Sequence, residues 1–194
     1  MSIGFALLVD ICRYLLWGLV AMTLHEAGHA AAAHILGIKI KRFGVSWKGV
    51  FIVRERGSAA KSLFVSLAGP MTNLILMLLF WTWLPAFGMA NFFFCFCNLA
   101  PIEGSDGLHV AVNLWLVLRK ALPAHLVRIL DQDSAASYKV RRRYHLMIGA
   151  MVGILPGLHV HSLIDCIWAA IFLILFALFI RNVSRALKKQ DPVP

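Results

Sequence analysis

Apolar residues along this chain fall into long runs separated by short polar connections, and the lengths of the runs set the first reading. A helix that crosses a bilayer needs about 20 mostly apolar residues. Residues 7–36 form such a run, followed by Gly37, a residue suited to the left-handed turn that ends helices. From Ile38 the pattern shifts toward period two, through Ile38, Ile40, Phe43, Val45 and Trp47 and then Val50 and Ile52, with Gly44 and Gly49 as turn formers. This predicts a short β-hairpin over residues 38–56 at a membrane surface. Residues 62–83 make a second span, closed by Leu84-Pro85. Residues 89–118 make a third, interrupted by Pro101, Gly104 and Gly107. A helix broken at membrane depth is tolerated only where it faces protein or a watery cavity, so the break marks a candidate site.

Residues 119–143 read as a basic, partly helical linker. The apolar stretch 144–180 is too long for one crossing and is divided by Pro156-Gly157, which favours five membrane segments over four. The expected fold is therefore an all-α polytopic membrane protein. A three-helix core with its hairpin occupies residues 1–118, the linker 119–143, and one or two C-terminal membrane segments with a basic tail 144–194.

Composition agrees. Hydrophobic residues make up 60% of the 194 and charged residues 14%, with a mean hydropathy of +0.78, whereas soluble domains carry about 25% charge. The net charge of +10 comes in blocks: seven Lys and Arg from Lys39 to Lys61, seven from Arg119 to Arg143 and four from Arg181 to Lys189. Basic blocks between apolar runs mark cytoplasmic loops beside anionic headgroups, and no aromatic-basic motif points to nucleic acid. The hairpin and the 119–143 loop are thus expected on the cytoplasmic side of a multi-pass protein of the cell membrane. The N-terminus lacks a basic leader region and reads as a retained helix. Cys12, Cys95, Cys97 and Cys166 match neither a metal nor a disulfide spacing and read as small apolar residues. Trp81, Trp83, Phe87 and Phe92 to Phe94 read as an aromatic belt at the outer interface.

The chemistry lies in His25-Glu26-Ala27-Gly28-His29. On a helix, residues i and i+4 share a face, so both imidazoles can reach one metal while the glutamate beside them can take a proton from an attacking water. This composition yields about 0.005 such motifs by chance. A catalytic zinc needs a third protein ligand. Among the donors in apolar segments, Asp106 stands in the broken third span directly before Gly107, where loop backbone can turn its carboxylate inward. His34 lies half a helical turn from His25 and is excluded. Glu103 could compete as a ligand or brace the loop. His109, one turn after Asp106, and the i,i+4 pair His161 and Asp165 are candidates for supporting the site. Asn98 is expected to satisfy loose backbone in the break, with substrate contact as its secondary role.

At this point the chain resembles the site-2 protease family of intramembrane zinc metalloproteases. The resemblance rests on His25-Glu26-Ala27-Gly28-His29, on Ala68-Gly69-Pro70-Met71-Thr72-Asn73, and on the stretch Asn98-Leu99-Ala100-Pro101-Ile102-Glu103-Gly104-Ser105-Asp106-Gly107, in that order. It covers roughly residues 15–118. It implies one catalytic zinc on His25, His29 and Asp106, Glu26 as general base, and Asn73 near the substrate or the developing oxyanion. The implied substrate is a transmembrane protein cut within or beside its membrane segment. A free edge of the hairpin could hold the unwound substrate strand. Ser105 and the pair Glu103-Gly104 depart from the family pattern, which favours a hydrophobic residue or prolines there. The alternatives are a non-catalytic zinc carrier and a protein that binds transmembrane helices without cutting them.

Overall fold

The computed structural model describes residues 3–46, 49–102, 104–119 and 135–158, with 165, 167, 169 and 171. Its elements in chain order are α1 (Ile3–Ile35), β1 (Ile40–Ser46), β2 (Gly49–Arg54), α2 (Ala59–Phe80), α3 (Pro85–Leu99), α4 (Asp106–Arg119) and α5 (Ala135–Ile154), which runs into a 3-10 turn at Leu155–Leu158.

α1 starts before the expected residue 7. Asp10 and Arg13, which interrupt the apolar run in sequence, pair across one turn at 2.9 Å and leave the helix unbroken. Its C-terminus is a Schellman motif: Gly37 has φ +68°, its N–H bonds His34 O at 3.0 Å, and Ile38 N–H bonds Ala33 O at 2.8 Å. Buried Ile38 then packs on Ala33 and on Val65 of α2, so the turn that stops α1 also docks the chain onto the next helix.

The hairpin is a two-stranded antiparallel sheet with a register irregularity between Ile40 and Arg42. Ile52 and Val53 are adjacent on β2 and both buried, so both faces of this strand are covered. α2 begins at Ser58, whose hydroxyl accepts from Lys61 N–H as an N-cap, four residues ahead of the expected start.

The third run is split into α3 and α4 around residues 100–105, as Pro101 and Gly104 predict. α3 lies against α1, α2 and α5, and α4 lies chiefly against α2. The aromatic belt needs correction. Phe87, Phe92, Phe93 and Phe94 are buried in the core with Tyr14, Ala21, Ile148 and Val152, and Phe87 meets Phe80 edge-on and Trp17 at a tilt, whereas Trp83 is exposed. The cause is α3 itself: 15 residues span about 22 Å, and neighbours on three sides turn most of its surface inward. α5 likewise crosses the boundary expected at 143/144 without a break. Cys95 and Cys97 are buried thiols, Cys12 is an exposed one, and Cys166 lies outside the described residues.

Two helices, Gly4–Ile35 and Ala59–Phe80, are long and apolar enough to cross a membrane, and Pro85–Leu99 and Asp106–Leu118 are shorter apolar helices. Leu16, Leu19, Ile75, Leu78, Leu79 and Trp83 are all more than half exposed.

Candidate metal centre

His25 and His29 project from one face of α1 toward α2, where Gly69 makes room for them. Gly28, between them in the chain, lets α1 approach α2 closely: a Cβ there would collide with Thr72 Oγ1 and lie 3.0 Å from Ala68 O. Each imidazole is held from behind. His29 Nδ1 lies 2.6 Å from Val65 O, and a carbonyl can only accept, so Nδ1 carries the proton. His25 Nδ1 lies 2.5 Å from Asn73 Oδ1 and donates to it. Both rings therefore keep an Nε2 lone pair for a ligand, the usual arrangement behind metal-bound histidine.

The two Nε2 atoms are 3.2 Å apart, and Asp106 Oδ2 lies 2.8 Å from His25 Nε2 and 3.2 Å from His29 Nε2. Ligand atoms about 2.0–2.1 Å from a tetrahedral zinc are about 3.3 Å from one another. The observed triangle is slightly contracted from that figure, and the donor set of two imidazoles and a carboxylate fits a zinc site. His25, His29 and Asp106 form the one group among the described residues that could hold a metal ion.

Asp106 is positioned by the loop that separates α3 from α4. Ser105, fully buried, caps α4 by accepting Leu108 N–H at 3.2 Å. Its hydroxyl also accepts Ile102 N–H and lies within hydrogen-bond distance of Ala100 O and Ile102 O, closing the turn on itself. Gly104 has φ +98°, which a residue with a side chain would adopt only under strain. A Cβ on Gly107 would run into Leu99 O and lie 2.8 Å from Ala100 O. Thus the serine that departs from the family pattern supplies the cap on which the carboxylate stands.

The site opens into a cavity bordered by Glu26, His29, Ile52, Arg54, Ser66, Gly104, Asp106, His109 and His145. Glu26 is buried and borders the same cavity as His29 and Asp106. Ile52 and Arg54 both face it, as the period of two on β2 requires. His109 borders it too, one turn along α4 from Asp106.

Other expected residues fall elsewhere. Asn73 is fully buried and engaged on all sides: Oδ1 on His25, Nδ2 on Ala21 O at 3.1 Å and on Asn91 Oδ1 at 2.8 Å. Its position is behind the histidine, and it has no N–H left for an oxyanion. Asn98 is buried, neither of its side-chain atoms has a hydrogen-bond partner among the described residues, and it does not border the cavity. Asp165 is exposed. Glu103 and His161 lie outside the described residues, so nothing is said of Glu103 as a ligand or of His161 pairing with Asp165. Unforeseen from sequence are Asn91, Gly69 in contact with the rings, Ser66 and Arg54 at the cavity, and His145 from α5. Only Asn91 leaves a sequence signal, as a lone amide in an apolar run ahead of Asn98.

No protein-family profile matches the chain, and a search of curated proteins returns no match.

Proposed function

We propose that the protein is an intramembrane zinc endopeptidase of the site-2 protease type, which hydrolyses a peptide bond in or near a transmembrane segment of another membrane protein. The observation that carries this reading is the convergence of His25 Nε2, His29 Nε2 and Asp106 Oδ2 at 2.8 to 3.2 Å beside buried Glu26. A zinc ion in this group would supply a Lewis acid that polarises the scissile carbonyl and makes water acidic enough to deprotonate near neutral pH. Glu26 takes that proton and returns it to the leaving amine. Asn73 and Val65 hold the histidines, and Arg54, Ser66, His109 and His145 are further polar side chains that border the cavity.

The membrane setting is supported by the two apolar helices of spanning length and by the exposed apolar side chains of α1 and α2. Glu26 lies nine residues before the end of α1, about 14 Å along its axis. This supports chemistry below the membrane surface on the hairpin side, and the basic residues from Lys39 to Lys61 favour the cytoplasm for that side. A helical substrate must unwind to expose its peptide bond. β2, bordering the cavity through Ile52 and Arg54 and paired among the described residues only with β1, offers a backbone edge for the unwound strand.

Purified protein in liposomes, given a panel of single-span membrane substrates, tests the reading. Wild type cleaves; Glu26→Gln loses about 10²–10⁴-fold in rate while keeping its zinc. A carrier would instead move zinc across the membrane in both forms and cleave nothing, and that result overturns the proposal.

A further inference from the structure

Asn91 is a fully buried amide on α3 with Ala90, Phe92 and Phe93 as buried apolar neighbours. In such surroundings an amide must be hydrogen-bonded. Asn91 Nδ2 donates to Phe87 O at 2.9 Å, and Asn91 Oδ1 accepts from Asn73 Nδ2 at 2.8 Å.

The proton positions follow in order. Phe87 O can only accept, so Asn91 turns its NH2 to that carbonyl and its oxygen to Asn73. That oxygen also can only accept, so Asn73 turns its own NH2 toward it, and the second N–H of the same group goes to Ala21 O. Asn73 then has only Oδ1 to offer His25, and an oxygen there requires an N–H at His25 Nδ1. Nε2 is then the nitrogen turned to Asp106 Oδ2 and His29 Nε2. The relay crosses three helices, from α3 through α2 to α1.

We propose that Asn91 is a positioning residue of the metal centre: acting through Asn73, it holds His25 in the tautomer and orientation that present Nε2 to a metal. The inference rests on the metal reading of His25, His29 and Asp106 and is independent of whether the protein cleaves peptides.

The test is zinc affinity by chelator competition on the full-length protein in detergent, with the His25 ring tautomer read by nitrogen NMR on the zinc-free protein. Leucine is close to asparagine in size and makes no hydrogen bond, so Asn91→Leu should weaken zinc binding about tenfold, the lower end of what losing a group behind a metal ligand costs. Ala21 O still holds one N–H of Asn73, which sets the lower end. His25 Nδ1 should change from fully to partly protonated. Asn91→Asp keeps an acceptor for Asn73 and should recover most of the affinity. In an Asn73→Ala background, Asn91→Leu should cost nothing further, because the relay is already cut. Unchanged zinc affinity in folded Asn91→Leu, equal losses in the Leu and Asp variants, or additive losses in the double variant overturn the proposal. An Nε2–H tautomer in zinc-free wild type overturns it without any variant. Wild type that binds no zinc fails the metal reading itself, a result distinguishable from all of these.

Discussion

Replacing Gly69 by alanine adds one methyl group to the most crowded point of the metal centre. The new Cβ would collide with His29 Nε2 and stand 2.6 Å from His29 Cε1 and 2.7 Å from His25 Nε2, where ordinary contacts begin at 3.4 Å, so the rings or α2 must give by at least 0.8 Å. A metal site tolerates about 0.2 Å in its ligand distances. Nor can the rings swing away cheaply, because each is tied from behind, His29 to Val65 O at 2.6 Å and His25 to Asn73 Oδ1 at 2.5 Å. Gly69→Ala should therefore weaken zinc binding by about 10- to 100-fold, or about 1.4–2.7 kcal/mol, and overpacking should lower stability by about 1–3 kcal/mol. Gly149 is the matched control: it lies inside α5, and an added Cβ meets nothing within 4 Å among the described residues. Gly149→Ala should leave zinc affinity unchanged and, if anything, stabilise the helix by about 0.5–1 kcal/mol. Chelator competition and thermal unfolding of both variants in detergent decide the matter. A Gly69→Ala protein that binds zinc as tightly as Gly149→Ala refutes the argument that the glycine exists to admit the histidines.

Ser105→Ala removes the cap of α4 and the hydroxyl that closes the turn before Asp106; stability should fall by about 0.5–2 kcal/mol, and zinc affinity should fall with it, both read in the same two assays. Tyr144→Phe removes the hydroxyl that donates to Cys97 O and ties α5 to α3. It should cost about 0.5–1.5 kcal/mol in thermal stability and leave zinc affinity nearly as it was, because the bond it removes joins Tyr144 to a backbone carbonyl and not to His25, His29 or Asp106.

The candidate metal group and the glutamate beside it were legible because they are local. His25, Glu26 and His29 sit at helical spacing in one element, and Asp106 stands out as an acidic residue at a break in an apolar run. Gly37 announced the end of α1 and the hairpin announced itself through its period. What sequence left dark depends on which helices become neighbours. Asn73 read as a substrate contact because nothing in its own helix reveals that its oxygen meets a histidine 48 residues away while both N–H groups are taken by α1 and α3. The α3 phenylalanines read as an interfacial belt because an apolar aromatic serves equally at a membrane surface and in a core, and only the packing of α1, α2 and α5 around them decides. His145 falls in a segment with no motif, and its place at the cavity follows from how α5 docks against α1 and α3. Ser105, which looked like a departure at the ligand position, makes sense once the loop folds back on its hydroxyl.

The account stands most directly on one zinc ion held by His25, His29 and Asp106, and X-ray absorption at the zinc edge on the purified protein examines that claim. It should find one zinc per chain with only nitrogen and oxygen neighbours at about 2.0–2.2 Å, two of them imidazoles, and the imidazole signal should fall in His25→Ala. Sulfur scattering at about 2.3 Å, or protein that retains no zinc while properly folded, would contradict it.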